Sequence, residues 1–217
     1  MKNSEDNYLY FQKECRMQDL LVGKKTIIGI HGIIGSFTDE ALYRLTQKKL
    51  EIKENQYIVK ELIHSENVIK SVVDGKVDRG IFAVANSGSG AYLASIEAMS
   101  QYTFKVISIF SMPITMCILS HPEVTSIKEI KEFRGHPVAI AQCRKTLKKR
   151  WPNIPIHPDT DEMDTALSAK MLKMGKINKH AAVFASKRAA EIYGLNILAE
   201  GAHDDPFNST SFVVIKK

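Results

Sequence analysis

Residues 80–90 read Gly-Ile-Phe-Ala-Val-Ala-Asn-Ser-Gly-Ser-Gly, and this stretch decides the fold. Residues 81–85 form an uncharged apolar run, which is typical of a strand covered by helices on both faces. The run stops at Asn86, and helical spacing starts at Ala91 after a small polar loop with two glycines. Free backbone N–H groups in such a loop, at a helix N-terminus, would suit an anion, whereas a tight turn alone also requires the glycines.

The same order of strand, glycine loop and helix occurs earlier in the chain. Residues 25–30 predict a strand, residues 31–38 a loop, and Asp39 begins a helix with acids in its first turn. The glycine spacing in this loop matches neither the phosphate-loop nor the dinucleotide-binding pattern. A further strand at 57–62 and a helix at 65–75 continue the alternation, which predicts an α/β fold with a mainly parallel sheet.

The remaining pattern predicts a second α/β lobe. Residues 104–110, 114–119, 137–141 and 181–185 are apolar runs that predict strands, and the run at 137–141 leads into a basic helix. We therefore expect an N-terminal extension at 1–24, lobe 1 at 25–103 plus 191–217, and lobe 2 at 104–190. Two lobes whose strand ends face each other would leave a cleft, which is the default place for a ligand.

Composition excludes several classes of protein. The 217 residues are 44% apolar, but no segment reaches the roughly 18 consecutive apolar residues of a membrane helix. The cysteines are widely spaced (Cys15, Cys117, Cys143), which predicts reduced thiols in a cytoplasmic protein, and no histidine pair has metal-ligand spacing. The net charge of +6 is concentrated at 144–150, which favours a solvated basic helix face over a nucleic-acid surface and would attract a small anionic substrate.

The candidate site residues follow predicted strands. Asn86, Ser87, Gln142 and residues 209–211 lie where strands end, which is where α/β folds bind ligands. These side chains are neutral hydrogen-bonding groups, and no Gly-x-Ser-x-Gly motif supports a serine triad. Cys143 is either a nucleophile with a lowered pKa at a predicted helix start or a buried apolar filler. Such a site suits a polyanionic organic substrate whose own structure drives the reaction.

Motifs in a fixed order resemble the catalytic region of prephenate dehydratases over residues 25–217. They are residues 32–38 (Gly-Ile-Ile-Gly-Ser-Phe-Thr), 85–90 (Ala-Asn-Ser-Gly-Ser-Gly), 135–143 (Gly-His-Pro-Val-Ala-Ile-Ala-Gln-Cys), 164–166 (Asp-Thr-Ala), 189–195 (Ala-Ala-Glu-Ile-Tyr-Gly-Leu) and 208–212 (Asn-Ser-Thr-Ser-Phe).

The resemblance implies a two-lobed, periplasmic-binding-protein-like fold with prephenate in the cleft. The implied reaction is that of a lyase in phenylalanine biosynthesis, which converts prephenate to phenylpyruvate, water and carbon dioxide without a cofactor or metal. By the resemblance, Thr210 would hydrogen-bond to the departing hydroxyl group, and Asn86 and Gln142 would position the substrate. The further substrate-binding positions that it implies are Ser87, Ser89, Gly35, Ser36, Phe37, Thr165, Ser211 and Phe212.

The chain also departs from the family pattern. Relatives carry threonine and glutamate at the positions of Gly88 and Ser89, serine at Gly135 and arginine at Ser211. Two alternatives therefore stay open, a non-aromatising prephenate decarboxylase and a non-catalytic small-anion-binding protein. We expect a cytoplasmic homo-oligomer, either a dimer or a tetramer, that binds neither nucleic acid nor membrane. We expect neither a phenylalanine-sensing ACT domain nor a chorismate mutase domain, and the residues do not distinguish prephenate from arogenate.

Overall fold

Strands and helices alternate along most of the chain. The computed structural model describes residues 9–160 and 163–217. The strands are β1 (Tyr10–Lys13), β2 (Thr26–Ile30), β3 (Tyr57–Glu61), β4 (Arg79–Asn86), β5 (Gly90–Ala91), β6 (Lys105–Pro113), β7 (Cys117–Ser120), β8 (Glu132–Gly135), β9 (Ile156–Pro158), β10 (Ala181–Ala185), β11 (Asn196–Ala199) and β12 (Ser209–Lys216). The helices are α1 (Met17–Leu20), α2 (Phe37–Tyr43), α3 (Ser65–Val73), α4 (Leu93–Gln101), α5 (Pro137–Arg150), α6 (Thr165–Lys173) and α7 (Lys187–Tyr193). Within the described ranges, no helix has the length and apolar character needed to cross a bilayer.

The first of two compact units contains the described residues up to Ile34, together with Thr38–Pro113 and Ser209–Lys217. Its sheet has the order β1-β6-β12-β4-β2-β3, and the short β5 pairs with β4. Strand β2 is parallel to β3 and β4, whereas β12 is antiparallel to both of its neighbours. Because β12 is an inner strand, its first residues are held by main-chain hydrogen bonds on both sides.

Gly80 in β4 is packed tightly below α3. A methyl group at this position would come within 2.6 Å of a Val68 methyl group and 3.0 Å of a Val72 methyl group. Both valines belong to the buried cluster on this face of the sheet, together with Phe82, Val213 and Ile215. The glycine therefore lets α3 approach the sheet closely.

The second unit contains Gly35–Phe37 and Ile114–Asn208 and has its own sheet, in the order β11-β7-β10-β8-β9. Strand β10 is fully buried and separates two apolar clusters. Helix α7 begins at an N-cap, Ser186, whose hydroxyl accepts from the N–H of Ala189, and ends at Gly194 with a φ of 60°. The α/β class with two sheets and the strand at 181–185 confirm the sequence prediction. The sheet predicted to be mainly parallel is mixed, because β12 pairs antiparallel with β4 and β6.

The unit boundaries differ from the predicted lobes. Strand β6 was predicted in lobe 2 (104–190) but lies in the first sheet, because it pairs with β12. Strand β11 was predicted in lobe 1 (25–103 plus 191–217) but pairs with β7 in the second sheet. Of the predicted extension, residues 1–8 lie outside the described residues. Strand β1 pairs with β6, and the Phe11 ring lies 5.6 Å from that of Phe110.

The predicted strand at 137–141 is wrong, because these residues form the first turns of α5. Pro137 occupies the first helical position, where its missing N–H costs nothing. The ring nitrogen Nδ1 of His136 accepts from the N–H of Val138 and caps the helix. The cationic side chains at 144–150 that follow are mostly exposed, as predicted for a solvated basic face.

His31 directly follows β2 and carries a buried Nδ1 atom without a hydrogen-bond partner among the described residues. Burial, with a smaller contribution from the charge of His64, lowers the pKa of His31 to about 4. The imidazole is therefore neutral at neutral pH, and protonation would place an unpaired charge in the fold.

We expect Gly80→Ala to reduce the free energy of unfolding by about 1–3 kcal/mol, because α3 has to move away from the sheet. Urea denaturation followed by circular dichroism measures this change. Gly88→Ala is the matched control, since its added methyl group would meet only Asn86 Oδ1 at 3.4 Å. Equal denaturation midpoints for the two variants would contradict the packing described for α3.

We expect the stability of the protein to fall as the pH falls from 6.5 toward 4, in part because of His31. The unfolded chain binds this proton more tightly than the folded chain, so His31 contributes a loss of roughly 2–3 kcal/mol across this window. His31→Leu should remove that part of the slope, whereas replacing the exposed His157 by leucine should retain it. Urea midpoints measured every half pH unit give the comparison, and identical slopes for wild type and His31→Leu would refute it.

Candidate functional site

The side chain of Asn86 joins the end of β4 to the start of β12. Its Nδ2 donates to the carbonyl oxygen of Ser209 and to Thr210 Oγ1, both at 3.0 Å. Its Oδ1 accepts from the N–H groups of Gly88 at 2.9 Å and Ser89 at 3.2 Å. This set of partners fixes which end of the amide is oxygen and which is nitrogen.

The loop after Asn86 is therefore not the cradle of free N–H groups that the sequence suggested. The N–H groups of Gly88 and Ser89 already donate to Asn86, which is a side-chain-closed turn of the kind asparagine commonly forms. The loop also does not lead directly into a helix, because β5 first pairs back onto β4 and α4 begins only at Leu93.

Ser87 adds two hydrogen bonds between the end of β4 and the start of β12. Its N–H donates to the carbonyl oxygen of Ser209 at 2.9 Å, and its hydroxyl accepts from the N–H of Ser209 at 3.0 Å. The structure thus brings together the predicted residues Asn86, Ser87, Ser89 and Thr210 within the first unit.

Thr210 is the buried hydroxyl of this group, with 4% of its surface exposed. Because Asn86 Nδ2 can only donate, Thr210 Oγ1 is the acceptor in their hydrogen bond. The hydroxyl hydrogen of Thr210 is thereby left to donate, and no described side chain accepts it. A fixed hydroxyl on an inner strand can stabilise negative charge that develops on a nearby oxygen.

Ser211 and Phe212 have different surroundings from Thr210. Successive residues of a strand point to opposite faces, and the hydroxyl of Ser211 lies 2.9 Å from that of Ser111 on β6. Phe212 is fully buried, and its ring stacks on Phe110 with centroids 5.8 Å apart. Phe212 is thus placed as a core residue of the sheet that carries Thr210.

Gln142 lies in the second turn of α5, in the second unit, and not at a strand end. Its Oε1 accepts from Asn208 Nδ2 at 3.4 Å, and its carbonyl oxygen accepts from the N–H of Asp204 at 2.6 Å. Cys143, next to it, is inside the helix and fully buried. Burial, with a smaller effect from Asp204, raises the pKa of the Cys143 thiol to about 12, which contradicts the nucleophile hypothesis.

The remaining predicted positions lie in the second unit and have mainly structural surroundings. Gly35 has a φ of 92°, and a side chain there would come within 3.1 Å of the Tyr193 ring, so only glycine fits. Its carbonyl oxygen accepts from Ser186 Oγ at 2.8 Å, which ties it to α7. Ser36 is buried, Phe37 packs on an apolar cluster, and Thr165 is the first residue of α6.

Two residues next to Gln142 in the second unit were missed from the sequence. Asn208 is buried and contacts Gln142, and its place in the motif at 208–212 was a signal that pointed to it. The carboxylate of Asp204 bonds to backbone groups of α5, and none of the sequence motifs contains Asp204. Among the described residues, no group of three His, Cys, Asp or Glu side chains could hold a metal ion.

Comparison with known proteins identifies relatives along nearly the whole chain. The family model described as prephenate dehydratase matches residues 28–217. An arogenate dehydratase/prephenate dehydratase from Arabidopsis thaliana is 33% identical over 213 residues, which is 94% of this chain and 48% of that protein. A bifunctional chorismate mutase/prephenate dehydratase from Stutzerimonas stutzeri is 30% identical over 158 residues, which is 73% of this chain and 41% of that protein. The chain thus spans about half, or less, of the length of these relatives.

A solved structure shows that the fold is shared. The prephenate dehydratase of Arthrobacter aurescens, in complex with L-Phe, superposes with a TM-score of 0.75 at 24% identity, covering 88% of this chain and 60% of that one. Together with the family match over residues 28–217, this settles the classification. The chain belongs to the prephenate dehydratase family.

Proposed function

We propose that the protein is a lyase that converts prephenate to phenylpyruvate, water and carbon dioxide. The observation that carries the proposal is the hydrogen bond from Asn86 Nδ2 to Thr210 Oγ1, 3.0 Å long. It orients a buried hydroxyl so that its hydrogen is available to a substrate oxygen. Membership of the family supports prephenate or its amino analogue as the compound that carries this oxygen.

The proposed reaction requires little acid–base chemistry from the protein. The bond between the ring and its carboxylate breaks, carbon dioxide leaves, and the electron pair moves into the ring. The bond from the ring to the hydroxyl group breaks at the opposite carbon, and that oxygen leaves with its electron pair and takes up a proton from the solvent to become water. Aromatisation of the ring supplies the driving force.

Thr210 would assist the departure of the hydroxyl group. A threonine is too weak an acid to transfer its proton fully, so we assign it a hydrogen bond that strengthens as charge develops on the leaving oxygen. Asn86 would hold Thr210 in place and, with Ser87 and Gln142, position the carboxylates and ring of the substrate. The other substrate-binding positions implied by the family resemblance remain proposals.

The departures from the family pattern leave the Asn86–Thr210 pair unaffected. Glycine and serine at 88 and 89 still present the two N–H groups that Asn86 accepts. The Ser211 side chain bonds to Ser111 and not to Thr210. Retention of Asn86, Thr210 and Gln142 supports the dehydratase, whereas the altered loop and Ser211 favour the two alternatives, a non-aromatising prephenate decarboxylase and a non-catalytic small-anion-binding protein.

Arogenate is the second candidate substrate, because the curated relatives include proteins named arogenate dehydratase/prephenate dehydratase. It differs from prephenate in carrying an amino group where prephenate has a keto group, and its product is phenylalanine. The homo-oligomeric state and the cytoplasmic location expected from the sequence stay predictions.

We expect the purified protein to convert prephenate to a product with the ultraviolet absorbance of phenylpyruvate, and arogenate is assayed in parallel by release of phenylalanine. Loss of prephenate without an aromatic product would identify the decarboxylase instead. Tight binding of prephenate without any turnover would exclude both enzymes and identify a binding protein.

We expect Thr210→Val to lower kcat by about a hundredfold or more, because it removes the hydroxyl group and retains the shape of the side chain. Thr210→Ser keeps the hydroxyl and should remain within about tenfold of wild type. Thr46→Val is the matched control, since Thr46 is also fully buried and donates to the carbonyl oxygen of Leu42 at 2.8 Å. That control should lower stability without lowering kcat, and a Thr210→Val enzyme with wild-type kcat would refute the assigned role.

A further inference from the structure

Asp204 forms an unusual connection to the middle of α5. Its carboxylate oxygens accept from the backbone N–H groups of Lys145 at 2.9 Å and Thr146 at 2.7 Å. Its own N–H donates to the carbonyl oxygen of Gln142 at 2.6 Å. The three hydrogen bonds join residues that are 58 or more positions apart in the chain to a single turn of the helix.

These bonds are made to backbone groups in the interior of one continuous helix, α5 (Pro137–Arg150). In an α-helix the N–H of residue i bonds to the carbonyl oxygen of residue i−4, and Thr146 and Gln142 are such a pair. Here both of these groups bond to Asp204. A carboxylate is well suited to this position because its bonds to N–H groups are charge-assisted.

The same turn of α5 carries Gln142, and the same loop carries Asn208. Gln142 Oε1 accepts from Asn208 Nδ2 at 3.4 Å, so a side-chain hydrogen bond joins the same loop and helix as the Asp204 bonds. Asn208 is fixed independently, because its N–H donates to the carbonyl oxygen of Asp205 at 3.1 Å and its own carbonyl oxygen accepts from the N–H of Ile114 at 2.8 Å. The backbone and the side chain of Gln142 are therefore both held by residues 204–208.

The charge around Asp204 is favourable to this arrangement. The cations on the adjoining part of α5, Arg144, Lys145 and Lys148, are exposed. Their positive charge favours an acidic side chain as the partner of this part of the helix.

We propose that Asp204 is a positioning residue that sets the orientation of Gln142 for substrate binding. This rests on the proposed function, in which Gln142 positions the substrate. The hydrogen bonds of Asp204 to α5 all involve backbone groups of the helix. We therefore assign its effect on the reaction to the position of Gln142 and not to contact with the substrate.

A double-mutant cycle tests this coupling. Asp204→Asn retains one acceptor but places an amide NH2 group against the second backbone N–H, so we expect kcat/KM to fall by about tenfold in the wild-type background. In the Gln142→Ala background the same substitution should change kcat/KM by less than about twofold, because the residue through which it acts is gone. An equal fall in both backgrounds would show a general structural effect and overturn the proposal.

One further measurement and a control variant accompany the cycle. Amide hydrogen exchange of residues 142–148 should be faster in Asp204→Asn than in wild type, and unchanged exchange would show that the bonds do not form in solution. Glu200→Gln is the charge-matched control, since Glu200 lies on the surface shortly before Asp204 and pairs with Lys187. It should leave both exchange and kcat/KM unchanged. If Asp204→Asn does not fold, Asp204→Glu replaces it in the cycle, because it retains the charge and displaces the carboxylate by one methylene group.

The outcomes separate this proposal from the proposed function. Turnover of prephenate with additive effects in the cycle overturns the role of Asp204 alone. If the wild type turns over neither prephenate nor arogenate, the proposed reaction fails, and the cycle is repeated on the Kd for prephenate with the same criterion. If the wild type neither turns over nor binds prephenate or arogenate, both proposals are overturned together.

Discussion

The candidate site depends on the hydrogen bonds of the Asn86 side chain. One short amide accepts from two N–H groups of the loop that follows it and donates to the backbone and side chain at the start of β12. Only a group with both donors and an acceptor can do this, so an aspartate or a leucine of similar size could not replace it. The loop, the strand and the direction of the Thr210 hydroxyl are therefore all set by one residue.

The position of β12 gives this arrangement its rigidity. Antiparallel pairing with β4 and β6 on its two sides leaves Thr210 opposite both Asn86 and Met112. The stacked rings of Phe212 and Phe110 anchor the next part of the strand in the core. A side chain on such a strand loses little freedom when a substrate binds, which is the condition for electrostatic stabilisation without reorganisation.

Much of this architecture could be predicted from local patterns, because the information lies within a few residues. The buried strands at 81–85 and 181–185 are examples. The run at 137–141 was misread because a short apolar segment does not distinguish a strand from a buried helix face, and the His136–Pro137 start was the better signal. The sheet that contains β6 could not be predicted in the same way, because its partner β12 lies about a hundred residues later in the chain.

The candidate site shows the same division between local and distant information. Asn86 and Thr210 were found because each lies in a strand-end motif. Asp204 was not found, because its partners are the backbone N–H groups of Lys145 and Thr146, and backbone groups have no residue-specific signature. A residue that bonds to backbone groups of a distant helix can be identified only after the helix and the loop are placed together. The loop just before β12 is thus structurally linked to α5, so a change in that loop would be transmitted to Gln142.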